Sequence, residues 1–125
     1  MSFGDFKLHR PGTAAEACEL GLQHGPTAAF LAGGTDLLVD LRSGRKAPDH
    51  LIALDGLPEL REIRRAGDML CIGALAVLAD VGDSPDVAEF FPALGEAIGS
   101  MAGRQIRNLA TLGGNFCCGV PCSDT

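Results

Sequence analysis

The sequence predicts an α/β fold in two small subdomains. Three observations carry this. Residues 6 to 54 alternate short apolar runs with helix-patterned stretches, in the order strand, helix, strand, helix, strand. That order favours parallel neighbours joined by right-handed crossovers. The pattern then changes near residues 55 to 59, where a hairpin signal follows. Residues 1–55 therefore read as a first β-α-β-α-β subdomain, and 56–125 as the start of a second. With 46% hydrophobic and 21% charged residues, the chain has the composition of a globular protein, not a disordered one.

Phe6 to His9 is predicted as the first strand, closed by Pro11 and Gly12. Thr13 and Glu16 have the spacing of a capping box, which satisfies orphan amides at a helix start. Ala14, Ala17, Cys18, Gly21 and Leu22 follow at the spacing of a buried stripe, and Gly25 with Pro26 ends the helix. Ala28 to Ala32 reads as a buried strand, broken by Gly33 and Gly34. Thr35 and Asp36 open a second helix with Leu37, Leu38 and Leu41 on its apolar side and Gly44 as its stop. His50 to Leu54 reads as the third strand.

Leu60 to Arg65 and Met69 to Gly73 are predicted to form a hairpin about Gly67 and Asp68. Leu75 to Gly82 is expected as a short helix. Ser84 before Pro85 marks another helix start, with serine as cap and proline in the first turn. A further helix starts at Pro92, shows Leu94, Ala97, Ile98 and Met101 on one face, and ends by Gly103. Ile106 to Leu112 is expected to be extended, with Gly113 and Gly114 breaking it.

A net charge of −6 disfavours a general nucleic-acid binder, which needs a basic stripe to displace counterions. The cationic cluster Arg61, Arg64 and Arg65 is interrupted by Glu62 and reads as a solvated strand face. No tyrosine or tryptophan is present to build a stacking surface. No apolar run approaches a membrane span and no signal core is visible, so a cytoplasmic location is expected. An odd count of five cysteines (Cys18, Cys71, Cys117, Cys118 and Cys122) argues against a disulfide framework. Cys18 and Cys71 are assigned to a helix stripe and a strand. His9, His24 and His50 are far apart in sequence and read as surface or capping residues, so no metal site is assigned.

Two segments stand out chemically, Ala32-Gly33-Gly34-Thr35-Asp36-Leu37 and Thr111-Leu112-Gly113-Gly114-Asn115. Each sets a glycine pair after an apolar run. Without Cβ, glycine lets backbone amides approach an anion, and successive amides can form a nest for phosphate. The first segment also leads into a helix, whose N-terminal amides favour negative charge. The Thr35 and Thr111 hydroxyls can donate to phosphate oxygens. Two simple turns would explain the same glycines. Asp36 can cap the helix or bind a hydroxyl. No G-x-G-x-x-G and no G-x-x-x-x-G-K-[ST] occurs, which excludes the usual nicotinamide and nucleoside-triphosphate fingerprints.

Read together, these segments resemble the FAD-binding domain of the molybdenum hydroxylases. That family includes the carbon monoxide dehydrogenase medium subunit, the xanthine dehydrogenase flavin domain and the 4-hydroxybenzoyl-CoA reductase β subunit. The resemblance runs from Pro11-Gly12-Thr13 through Leu31 to Leu38, Leu70 to Leu75 and Ile106 to Asn115, and on to Asp124-Thr125. It implies an FAD-binding domain of the PCMH type, of which this chain is the N-terminal portion, with the second subdomain incomplete. The isolated chain is then expected to bind FAD weakly or not at all.

The resemblance also implies roles. Leu31, Ala32, Gly33, Gly34, Thr35, Asp36 and Leu37 would wrap the FAD pyrophosphate and adjoining ribose. Thr111, Gly113, Gly114 and Asn115 would hold the same phosphates. Gly73 would lie near the cofactor, and Asp124 would reach ribityl hydroxyls. Met101 falls where some relatives place an aromatic side chain, and a core role suits it equally. The implied activity is oxidoreductase electron transfer from iron–sulfur clusters through FAD to an acceptor. The implied partners are an iron–sulfur subunit and a large molybdopterin subunit. No catalytic side chain is implied. A scaffold that binds no FAD, or a redox module using the cysteines of the tail, are the competing readings.

Overall fold

The structure is a computed structural model that describes residues 4–119. The chain divides into two compact units, one ending at Pro58 and the other beginning at Glu59.

The first unit contains β1 (Lys7–His9), α1 (Ala14–His24), β2 (Ala28–Leu31), α2 (Leu37–Ser43) and β3 (His50–Ala53). The strands form a parallel sheet in the order β1-β3-β2. The last strand in sequence is therefore the central one, and Leu51, Ile52 and Ala53 are buried there. Burying Leu51 and Ile52 contributes roughly 1.5–3 kcal/mol each.

Thr13 caps α1: its Oγ1 accepts from the Glu16 amide at 3.1 Å. The Glu16 carboxylate accepts from the Gly12 amide at 2.8 Å, one residue before the position a standard capping box would use. The buried stripe differs from expectation. Ala17 is buried and Leu20, Gly21 and His24 are half-buried, whereas Ala14 and Cys18 are exposed and Leu22 is 85% exposed. The cause is the docking of Gly21 on Phe30, where an added Cβ would come within 2.5 Å of the ring. That contact sets the helix phase, and the i, i+3, i+4, i+7 pattern falls on 17, 20, 21 and 24. On α2, Leu41 is buried and Leu38 exposed. Gly44 ends it in the left-handed region at φ 74°.

A 3₁₀ turn at Pro58–Arg61 spans the start of the second unit. An antiparallel hairpin of β4 (Ile63–Ala66) and β5 (Met69–Ile72) follows. Leu60 and Arg61 thus precede the strand instead of starting it. Ala66 faces Met69, and Gly67 takes the positive φ required at the first position of the two-residue loop. Arg64 and Arg65 are exposed, and Arg65 lies 4.5 Å over the Phe90 ring.

Among the described residues five helices follow: α3 (Leu78–Asp83), α4 (Pro85–Phe90), α5 (Pro92–Ser100), α6 (Arg104–Arg107) and α7 (Leu112–Cys118). Ser84 caps α4 by accepting from the Val87 amide. Ala76, Leu78, Val81, Val87 and Ile98 form the core, with Leu94 and Met101 packed against it. The extended run expected over Ile106–Leu112 is absent. Residues 104–107 are helical instead, and the Arg107 guanidinium donates to the carbonyls of Ile98 and Gly99 at the end of α5. Only Thr111 pairs in extended fashion, with Val77. The apolar residues Ile106 and Leu109, which suggested a buried strand, are exposed. Among the described residues, no helix is long and apolar enough to cross a membrane.

Candidate functional site

In the first unit, the segment from Leu31 to Leu37 turns from β2 into α2. Gly34 sits there at φ 75°. A Cβ at Gly34 would lie 3.0 Å from Leu38 and 3.1 Å from Leu31, so the turn is closed to side chains on that side. Leu38 donates to the Gly34 carbonyl at 3.0 Å and Asp40 to the Asp36 carbonyl at 3.0 Å. The amides of Gly33, Gly34, Thr35, Asp36 and Leu37 have no acceptor among the described residues. Donors left unpaired in a half-buried turn are costly unless water or a ligand accepts from them. Thr35 is half-buried, and Asp36 is exposed and makes no side-chain capping bond. The helix that follows has seven residues, so the turn amides matter more here than a macrodipole.

The second glycine pair behaves differently. Gly113 and Gly114 do not break a strand; they lie in the first turn of α7, which Thr111 caps. Thr111 is buried, and its Oγ1 accepts from the Gly114 amide at 3.0 Å. Leu112 donates to Ala76, Gly113 to Ala74 at 2.7 Å, and Asn115 to Thr111. All the first-turn amides of α7 are therefore committed within the protein. The nest read from the glycine pair does not exist at this point, because the helix start and the Ala74–Ala76 segment consume its donors.

Gly73 adjoins that segment. Its amide donates to Glu62 at 2.7 Å, and an added Cβ would fall 2.1 Å from the Leu60 carbonyl oxygen. The structure thus gathers Gly73, Thr111 and Gly113 on either side of residues 74–76. Met101 is half-buried against the core of its unit. Asp124 and Cys122 lie outside the described residues. Cys117 and Cys118 are exposed near the end of α7, and Cys18 is exposed rather than part of a core stripe.

The three histidines require a larger correction. Separated in sequence, His9, His24 and His50 come together in the first unit. His9 Nε2 and His50 Nδ1 share a hydrogen bond of 3.0 Å. The rings of His24 and His50 stack with centroids 3.7 Å apart. Partial burial, then the charges of His50, His9 and Lys7, hold His24 below the ordinary imidazole range. Nothing local in the sequence signals this trio; it follows from β1 and β3 being neighbours.

Residues 4–125 match the family described as FAD binding domain in molybdopterin dehydrogenase. The carbon monoxide dehydrogenase medium chain of Hydrogenophaga pseudoflava is 40% identical over 119 residues, which cover 95% of this chain and 42% of that protein. The xanthine dehydrogenase FAD-binding subunit of Escherichia coli O157:H7 is 40% identical over 118 residues, covering 94% and 40%. A solved carbon monoxide dehydrogenase from Hydrogenophaga pseudoflava superposes with a TM-score of 0.93 at 40% identity, covering 97% of this chain and 42% of that one. The chain spans about two fifths of the length of the curated relatives it matches.

Proposed function

Because the chain belongs to the family of FAD-binding domains of molybdopterin dehydrogenases, we propose that it holds FAD as the flavin component of such a dehydrogenase. In this reading electrons arrive from iron–sulfur clusters and leave to a final acceptor. The partners are an iron–sulfur subunit and a large molybdopterin subunit.

The observation that carries the reading is the run of unpaired amides from Gly33 to Leu37 around a glycine at positive φ. A diphosphate offers several strong acceptors, and such a turn offers matching donors without a Cβ in the way. The residues present fit the group at this place. Leu31 to Leu37 would hold the pyrophosphate and adjoining ribose, with the Thr35 hydroxyl as a further donor. Asp36 would accept from a sugar hydroxyl, since its charge opposes phosphate. In the second unit, the Thr111 hydroxyl and the Asn115 side chain are the proposed contacts, together with the surfaces of Gly73, Gly113, Gly114 and Met101. The amides of residues 112–115 are not proposed as donors, being already paired. Asp124 is proposed to reach the ribityl hydroxyls.

When bound, the flavin supplies the redox chemistry; this chain supplies binding, orientation and electrostatic surroundings. No proton transfer by a side chain is assigned. The test is the flavin content of the assembled dehydrogenase containing this chain, read from its visible absorbance, for the parent and for Gly34→Ala. Stoichiometric flavin in the parent and its loss in the variant are expected. A flavin-free parent complex that accepts no added FAD would overturn the reading in favour of a scaffold role.

A further inference from the structure

We propose that His9, His24 and His50 form a binding site for a divalent late-transition cation of the zinc class, with three imidazole ligands and a fourth position open to water. Nothing in the flavin reading requires this site, and it stands or falls separately.

The ligands come from three elements. His9 ends β1, His50 begins β3 and His24 ends α1. The parallel register pairs Lys7 with His50 and His9 with Ile52. His9 and His50 therefore lie diagonally on one face of the sheet, because side chains alternate with a period of two. The docking of Gly21 on Phe30 brings the end of α1 over that same face. One ring nitrogen from each histidine lies within 4.8 Å of the others, and one pair is already at 3.0 Å. Zinc–imidazole bonds of about 2.0–2.1 Å in a tetrahedral arrangement need donor atoms a little over 3 Å apart. Closing the set requires the His24 and His50 rings, stacked with centroids 3.7 Å apart, to turn until their in-plane lone pairs converge.

Chemistry selects the ion class. Imidazole suits zinc, copper and nickel, and the trio contains no carboxylate to favour calcium or magnesium. All three rings are half-buried, which limits the water that must be displaced. The carbonyl end of the 11-residue α1 presents partial negative charge at His24. Lys7 opposes a cation, but it is exposed and screened by solvent. The hydrogen bond between His9 and His50 places a proton on one of the two facing nitrogens. Loading the ion moves that proton to the other nitrogen of the same ring, so both lone pairs face the metal without net charge change.

Isothermal titration of the full chain with ZnCl₂ tests the site, in a Cys117→Ser, Cys118→Ser, Cys122→Ser background that removes the tail thiols as competitors. One equivalent is expected to bind in the micromolar range, and His24→Gln or His50→Gln to weaken it by more than about tenfold. Millimolar or weaker binding, or unchanged affinity in both variants, overturns the proposal. Should a variant fail to fold, Co²⁺ loading of the unsubstituted chain decides. Tetrahedral d–d bands without a thiolate charge-transfer band support three imidazoles; a thiolate band or an octahedral spectrum overturns them.

Discussion

The Gly113 amide donates to the Ala74 carbonyl at 2.7 Å, and a Cβ built on Gly113 would sit 2.7 Å from that same oxygen. Backbone meets backbone here, so neither partner can yield as a flexible side chain would. Gly113→Ala is expected to destabilise the chain by about 1–3 kcal/mol. Urea unfolding of the purified variant measures it. A change within about 0.5 kcal/mol would mean the helix start shifts freely.

Gly34 and Gly44 separate conformation from cofactor contact. Both have positive φ, but Gly34 is crowded by Leu31 and Leu38 while Gly44 faces open space. Gly44→Ala is expected to cost about 1–2 kcal/mol through the left-handed backbone alone. It should leave FAD content unchanged. Gly34→Ala should lower FAD content as well as stability. Equal flavin loss in both variants would contradict a role for the turn in binding.

Thr111→Val keeps the volume and removes the cap that accepts from the Gly114 amide. About 1 kcal/mol of stability should be lost. Hydrogen exchange at Gly114 is the local readout, and it should accelerate in the variant relative to the amides of α5.

Asp83 accepts a two-point contact from Arg104, at 2.6 and 3.2 Å. That hydrogen bonding, opposed by desolvation and aided by the Arg104 charge, lowers the carboxyl below its ordinary value. A carboxylate lowered in the folded state stabilises it above the unfolded pKa, near pH 4. The contribution fades as pH falls through the folded value. An NMR titration should show the Asp83 carboxyl moving up toward the ordinary range in Arg104→Gln. An unmoved midpoint would show the contact to be absent in solution.

Local signals were legible in the sequence where one residue decides. Thr13, Ser84 and Gly44 perform the capping and stopping roles their types suggest. The Leu31–Leu37 turn was legible because a glycine pair after a strand leaves few alternatives. Tertiary choices were not. Leu22 fits a helical stripe on paper, but Gly21 against Phe30 rotates it to solvent. Thr111 reads only as a hydroxyl donor, whereas its Oγ1 also accepts from the Gly114 amide as a helix cap. The histidine trio depends on strand order, which short-range patterns do not encode.

Strand β3 lies between β1 and β2, although it is the last of these three to be made. During synthesis neither earlier strand has a ladder partner until residues 50–53 have left the ribosome. The parallel sheet then closes both pairings around one late segment, so its nucleation is non-local. Until that moment, the Lys7–His9 and Ala28–Leu31 edges are open to mispairing, and any holding chaperone would have to act on the nascent chain before β3 emerges.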